Sequence, residues 1–240
     1  MNRHFPDPVS SAGRKSGYLD DLDFDEIAEV MAFDENPFSS HTQIVQLTGT
    51  DKRVLEVGCA SGYMSERLCQ AGCKVTGIDF NRKMGEIAKR FCRNVLILDI
   101  EHDFPKFGQP FEVIIFADIL EHLRNPLEVL QRYRKFLTDQ GRMIISVPNV
   151  ANWRIRLLLL RGNFDWDPNW ILSPGHIKFF TKKKLIEMLA EADLVPRIFR
   201  ITYDLPLAER RKKGFVVRKF ADQFPGLFGK QFIAVAEAKR

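Results

Sequence analysis

With 240 residues, 45% of them hydrophobic and 28% charged, and a net charge of +5, the chain fits one globular domain with decoration. No apolar run approaches the ~20 residues of a membrane-spanning helix, and the opening residues Met1-Asn2-Arg3-His4-Phe5-Pro6 lack the apolar core of a signal peptide, so the cytoplasm is the expected compartment. The basic excess is local, in Glu209-Arg210-Arg211-Lys212-Lys213 and Arg218-Lys219, without an aromatic–basic recognition motif, which argues against a nucleic-acid partner.

Residues 1–50 read as a mobile lead-in with an N-terminal helical flap. Residues 1–20 are rich in Pro, Ser, Gly and charge, while Phe24, Ile27, Ala28 and Met31 fall at helical spacing. From Lys52 strands and helices alternate as in a parallel sheet. Strands are predicted at Arg53–Val57, Lys74–Ile78, Asn94–Leu98, Phe111–Phe116 and Arg142–Val147. Helices are predicted over Tyr63–Ala71, from the N-cap Asn81 to about Phe91, and from Asn125-Pro126 to about Leu137. The alternation stops after Pro148-Asn149. Residues 150–180 hold Trp153, Trp166 and Trp170 with no sheet period and read as a cap over the site. Thr181 caps a further helix carrying Leu185, Ile186, Leu189 and Ala190. Two more strands, Leu194–Thr202 and Gln231–Ala238, flank a basic insertion at 205–230. Cysteines 59, 69, 73 and 92 make no Cys-x-x-Cys pair and read as reduced thiols.

The first strand ends in Glu56-Val57-Gly58-Cys59-Ala60-Ser61-Gly62, and the second ends in Asp79. A glycine turn between strand and helix brings bare backbone amides close to a ligand. An acid at the tip of the next strand is placed to accept from ribose hydroxyls. Together they describe a site for an adenosine-containing cofactor. Glu56 would repel a pyrophosphate but suits a cationic amino-acid moiety.

On these residues the chain resembles the class I S-adenosylmethionine-dependent methyltransferases, departing from their usual motif at Ala60, where a glycine is common. Asp118-Ile119-Leu120-Glu121-His122-Leu123, Asn125-Pro126, Ser146-Val147-Pro148-Asn149 and Gly175-His176-Ile177-Lys178-Phe179-Phe180-Thr181 narrow the resemblance. They are similar to the branch holding the ubiquinone-biosynthesis O-methyltransferases and enzymes acting on sugars and small metabolites. The likeness covers about residues 50–200. It implies an α/β fold with a doubly wound, mostly parallel seven-stranded sheet, Rossmann-like, whose last strand runs antiparallel between its neighbours. Residues 51–240 form the methyltransferase domain, with the substrate cover at 150–180.

The resemblance implies S-adenosylmethionine as cofactor. Gly58 to Gly62, with Cys59 and Ala60, would pass under its methionine part, and Glu56 would order the loop and the amino group. Asp79 would take the ribose hydroxyls, Asp99 with Ile100 the adenine edge, and Phe80 and Asp118 complete the cofactor set. Trp153, Trp166, Trp170 and Asn149 are the candidate substrate contacts, and His176 and His122 the candidate bases. Asp118, Glu121 and His122, at i, i+3 and i+4 on one helical turn, are candidate ligands for a divalent ion such as Mg2+. The expected reaction is methylation of a small molecule at oxygen. The alternatives are N-methylation, O-methylation of a quinone precursor at a membrane surface, and a non-catalytic cofactor-binding partner in a biosynthetic assembly. The basic, apolar stretch 153–161 suits an interfacial segment, although a cap helix over the pocket is the preferred reading. RNA methylation lacks the tetrad that base-amino methyltransferases show after strand four. Oligomeric state has no signature in the sequence.

Overall fold

The computed structural model describes residues 33–164, 166, 171–203 and 214–239. The helical pattern at 23–32, Trp170 and the charge run at 209–213 lie outside the described residues.

Seven strands form one sheet: β1 (Arg53–Val57), β2 (Lys74–Asp79), β3 (Asn94–Ile97), β4 (Phe111–Ala117), β5 (Leu137–Pro148), β6 (Leu194–Tyr203) and β7 (Gly229–Ala238). Their order is β3-β2-β1-β4-β5-β7-β6. β1 pairs in parallel with β2 and β4, setting Val54 opposite Val75 and Val113. β7 runs antiparallel to both β5 and β6, in the inner position the resemblance implied. The central strands are buried on both faces, which is why they read as mostly apolar runs, interrupted by Glu56 in β1 and Glu112 in β4, rather than as alternating ones.

Helices α1 (Ser40–Thr48), α2 (Tyr63–Gln70), α3 (Arg82–Ala88), α4 (Pro126–Arg134), α5 (Trp153–Leu160), α6 (Lys182–Glu191), α7 (Gly214–Ala221) and α8 (Pro225–Phe228) complete the described elements. Capping sets several of their starts. Asn81 accepts from the amide of Met84 and Thr181 from that of Lys184, each satisfying an otherwise orphaned donor. Asn125 holds the corresponding place before α4 but makes no side-chain cap, and Pro126 alone fixes that start. One apolar cluster lies between the sheet and α4 and α6, with Phe116, Tyr133 and Phe232 fully buried. A second, including Ile44, Met64 and Leu68, lies under α1 and α2. Each such side chain contributes about 1.5–3 kcal/mol by leaving water.

Three boundaries differ from the sequence reading by three residues or more, the ends of α3 and α4 and the start of β5. α4 stops at Arg134 and β5 begins at Leu137, because Phe111 of β4 pairs with Leu137 and draws the chain into the sheet five residues early. α3 ends at Ala88, after which Arg90 and Phe91 turn back on Ile87 and Ala88. Part of the expected N-terminal flap is α1, which packs on the sheet: Ile44 is fully buried and Arg142 on β5 donates to the carbonyls of Leu47 and Thr48.

Beyond β5 come α5 and, further on, residues 171–180, the latter bonded to the segments that follow β4 and β5. Ile155, Ile171 and Leu172 give this region its own small apolar core. Asn149 and Phe180 form a bridge, and the amides of Ile177 and Lys178 donate to the carbonyl of Glu121. All four cysteines are free thiols.

Candidate active site

The turn after β1 is built from three left-handed residues, Gly58 (φ 76°), Ala60 (φ 48°) and Gly62 (φ 82°). A Cβ at Gly58 would lie 2.1 Å from Cδ1 of Ile119, and one at Gly62 would lie 3.0 Å from the backbone of Ala88. At both positions the backbone angle favours glycine, and at Gly62 the backbone of Ala88 also leaves little room for a Cβ. Ala60 sits at an angle an L-residue can adopt for roughly 1–2 kcal/mol, and its amide donates to Oδ2 of Asp79 at 2.8 Å. The departure from the family motif thus keeps the turn. The amides of Gly58 and Cys59 both donate to the carbonyl of Ile78, locking the turn to the end of β2.

Beneath the turn, Glu56 is buried and accepts from the hydroxyl of Ser65 on the first turn of α2, and the Cys92 thiol donates to the same hydroxyl at 3.0 Å. Burial pushes the Glu56 carboxyl well above the usual carboxylate range. Asp79 is buried as well. Its Oδ1 accepts from the amide of Asn81 at 2.8 Å, so backbone donors fix both carboxylate oxygens. Burial raises its pKa, and the amides of Asn81, Ala60 and Phe80 oppose that rise.

A cavity of about 230 Å³ opens between these strand ends, walled by Gly58, Asp79, Phe80, Asp99, Ile100 and Ile119 and reaching His122. The five predicted cofactor residues among those walls come from the ends of three neighbouring strands, β1, β2 and β3. Its volume is below the ~300–1,000 Å³ of a complete small-molecule pocket, which suits the nucleoside end of a longer ligand. Asp99 is exposed, and its Oδ1 accepts from the amide of Glu101 at 2.8 Å.

The region beyond β4 is organised differently from the sequence expectation. Asp118 has φ 53° and precedes a single 3-10 turn, Leu120–His122, so it does not share a helical face with Glu121 and His122. Its carboxylate accepts from Ser146 Oγ at 2.8 Å and from Gln231 Nε2 at 2.9 Å. The residue that joins Glu121 and His122 is His176, and one potential ligand atom from each of the three lies within 4.8 Å of the others. The Nδ1 of His122 faces the carbonyl of Gly175, and that of His176 the carbonyl of Ile171, both at 2.8 Å. Since a carbonyl only accepts, each Nδ1 carries the proton and each Nε2 the lone pair. The two rings meet edge to face with centroids 4.8 Å apart. Burial lowers both imidazole pKa values, so the neutral form prevails at neutral pH. Glu121 is raised well above the carboxylate range, by burial first and then by Asp118. Its Oε2 is buried with no hydrogen-bond partner among the described residues. Two imidazole nitrogens and one carboxylate oxygen form a donor set suited to a transition-metal ion; magnesium prefers an all-oxygen shell.

The predicted substrate contacts are dispersed. Asn149 is fully buried and donates to the carbonyls of Gly226 and Gly229, stapling the end of β5 to the start of β7. Trp153 begins α5 half-buried, and Trp166 is exposed against Phe164. Two residues that the sequence reading did not single out stand beside the turn. His41, buried on α1, meets the hydroxyl of Tyr63 at 3.2 Å, and Asp118 acts electrostatically on both. Tyr63 follows Gly62 directly, and that adjacency was the one available signal. Ser146 stood in a quoted motif, whereas nothing local marks Gln231.

Residues 33–197 match the family described as "Methyltransferase domain". A ubiquinone biosynthesis O-methyltransferase of Histophilus somni is 29% identical over 166 residues, 61% of this chain and 66% of the relative. One from Actinobacillus pleuropneumoniae is 32% identical over 108 residues, 41% and 46% of the two chains. The chain thus spans less than two thirds of these curated relatives. Among solved structures, magnesium protoporphyrin IX methyltransferase from Synechocystis superposes with a TM-score of 0.57 at 16% identity, covering 85% of this chain and 84% of that one. The N-methyltransferase NodS from Bradyrhizobium japonicum superposes with a TM-score of 0.57 at 20% identity, covering 86% and 90%. At those identities the likeness is one of fold. With the family matched over residues 33–197, from α1 into β6, the chain belongs to the methyltransferase-domain family, of the class I, S-adenosylmethionine-dependent kind.

Proposed function

We propose that the chain binds S-adenosylmethionine across the tips of β1, β2 and β3 and transfers its methyl group to an oxygen of a small-molecule acceptor. The observation that carries this reading is Asp79, a buried carboxylate fixed by two backbone amides on the wall of the cavity beside the glycine turn. Fixed in that way it is preorganised to accept from a vicinal diol. In this reading Asp99 and Ile100 meet the adenine edge, Phe80 covers it, and the turn from Gly58 to Gly62 carries the methionine part. Glu56 braces the turn through Ser65.

The sulfonium is already activated, so the chain's task is to hold an acceptor in line with it and take up a proton. His122 lines the cavity and His176 meets its ring with centroids 4.8 Å apart, so in this reading the pair offers basic Nε2 atoms to the acceptor. A hydroxyl acceptor must lose a proton, which a neutral imidazole pair serves, and the curated relatives are named as O-methyltransferases. Where a divalent ion takes part, Glu121, His122 and His176 would hold it, and it would supply Lewis acidity toward the acceptor oxygen.

Calorimetry with S-adenosylmethionine, S-adenosylhomocysteine and NAD tests the reading. Micromolar affinity for the first two and none for NAD is expected. Equal affinity for NAD, or no affinity for S-adenosylmethionine, would overturn it. Mass-spectrometric detection of methylated acceptor from a panel of hydroxyl- and amine-bearing metabolites then separates O- from N-transfer.

A further inference from the structure

α7 and the turn after it lie beyond residue 197, where the family match ends. One side of this helix is seated on the domain. Gly214 and Ala221 are buried, the Arg218 guanidinium lies 4.5 Å from the centre of the Phe38 ring, and Tyr203 donates to Asp222 at 2.8 Å. The opposite side carries large apolar side chains left in water: Phe215 is 61% exposed, Val216 72%, Phe220 52% and Phe224 49%. Val216 and Phe220 are spaced i and i+4 on α7 with Phe215 beside them, and Phe224 follows in the turn after the helix. The Phe220 ring touches those of Phe224 and Phe228 at 5.4 and 5.6 Å between centroids, so these side chains make a continuous stripe. Such a contiguous exposed aromatic surface is unusual on a monomer and marks a contact.

Charge decides what kind of contact. Residues 210–219 read Arg-Arg-Lys-Lys-Gly-Phe-Val-Val-Arg-Lys, six cations and no acid. Lys219 is exposed among the phenylalanines, and its aliphatic stem can lie along them while its ammonium reaches outward. An aromatic stripe combined with a polybasic run meets the two requirements of peripheral attachment to an anionic bilayer, insertion of apolar side chains and attraction to lipid headgroups. We propose that α7 is an interfacial helix that docks the domain on a membrane surface rich in anionic phospholipid. α8 follows α7 directly, and the carbonyls of Gly226 and Gly229 are bonded to Asn149 and Asn152 at the base of the cover, so the docked face adjoins the acceptor side of the site. A lipophilic acceptor would then reach the site from the bilayer. The docking itself is independent of the methyl-transfer reading.

Sedimentation of the full chain with phosphatidylcholine vesicles containing phosphatidylglycerol, against pure phosphatidylcholine vesicles, tests the proposal. Partitioning should be at least about tenfold greater on the anionic vesicles and should fall as salt is raised. The double variant Phe215→Ser/Phe220→Ser and the variant Lys219→Glu should each lose it about tenfold or more. Both alter exposed side chains, so their thermal midpoints and S-adenosylmethionine affinities should match the parent chain and show that they fold. The proposal is overturned if the parent chain does not partition, or if folded variants partition equally. It is also overturned if light scattering shows a dimer that Phe220→Ser dissociates, because a second copy then covers the stripe. None of these readouts depends on methyl transfer, so failure here leaves the catalytic reading standing.

Discussion

Replacing Asp79 separates its two duties, holding the turn and holding the cofactor. In Asp79→Ala the buried amide of Ala60 loses an acceptor 2.8 Å away, and that of Asn81 loses another at the same distance. An orphaned buried donor costs about 1–3 kcal/mol, so the variant loses a sizeable share of a typical ~5–15 kcal/mol stability. Two charge-assisted bonds to a ribose are worth about 2–4 kcal/mol together, or roughly 30- to 700-fold in affinity. Asp79→Asn is the sharper probe, because it keeps the volume and one acceptor oxygen and exchanges charged for neutral bonding. Neutral bonds are about half as strong, so a loss of about 1–2 kcal/mol, roughly 5- to 30-fold, is expected with a modest drop in thermal midpoint. Calorimetric titration with S-adenosylmethionine beside a melting curve gives both quantities. Affinity should fall in the order Asp, Asn, Ala. Because burial raises the Asp79 pKa, affinity in the parent chain should also fall, as the solution is acidified, from a higher pH than an ordinary carboxylate would give. A folded Asp79→Asn chain with unchanged affinity would refute the ribose assignment.

His176→Ala should cut turnover by about 10²- to 10⁴-fold with cofactor affinity intact; a variant that loses affinity or melts early would make His176 a packing residue. Since burial lowers the pKa values of His122 and His176, the acid limb of turnover should fall below the ordinary ~6.5. Their folded values lie under the unfolded ones, so protons bind the unfolded chain first and this pair's contribution to stability is lost as pH drops from ~6.5 through the folded values. Glu121 has the opposite sign: with its folded pKa raised, its contribution worsens as pH climbs from the ordinary ~4.3 toward the folded value. In chelator, Glu121→Gln should therefore raise the thermal midpoint, with a gain that grows as pH climbs above the ordinary carboxylate range; a gain that stays flat with pH would remove the burial argument. A midpoint of the parent chain that drops on chelation, and does not in Glu121→Gln, would identify the cluster as a metal centre.

The strand ladder was legible from the residues because each central strand is a short apolar run closed by turn residues, and burial on both faces leaves little ambiguity. The cavity at the ends of β1, β2 and β3 was legible for a related reason. Glu56, the glycine turn and Asp79 are local in sequence, and in a parallel sheet the carboxyl end of every strand lies at the same edge. The region beyond β4 had no such local grammar. Asp118 was grouped with Glu121 and His122 by helical spacing, yet a left-handed residue and a 3-10 turn follow β4, so that spacing does not apply. His176 reaches Glu121 and His122 because the 171–180 segment hydrogen-bonds back to the carbonyl of Glu121. Gln231 reaches Asp118 because β7 inserts antiparallel beside β5. His41 reaches Tyr63 because α1 packs on the sheet next to α2. Those partners are separated by 22 to 113 residues. No periodicity encodes them, since they follow from sheet order and packing of distant elements. The sequence alone therefore determined the scaffold and the glycine turn beside Asp79, while the tertiary structure decided which distant groups gather beyond β4.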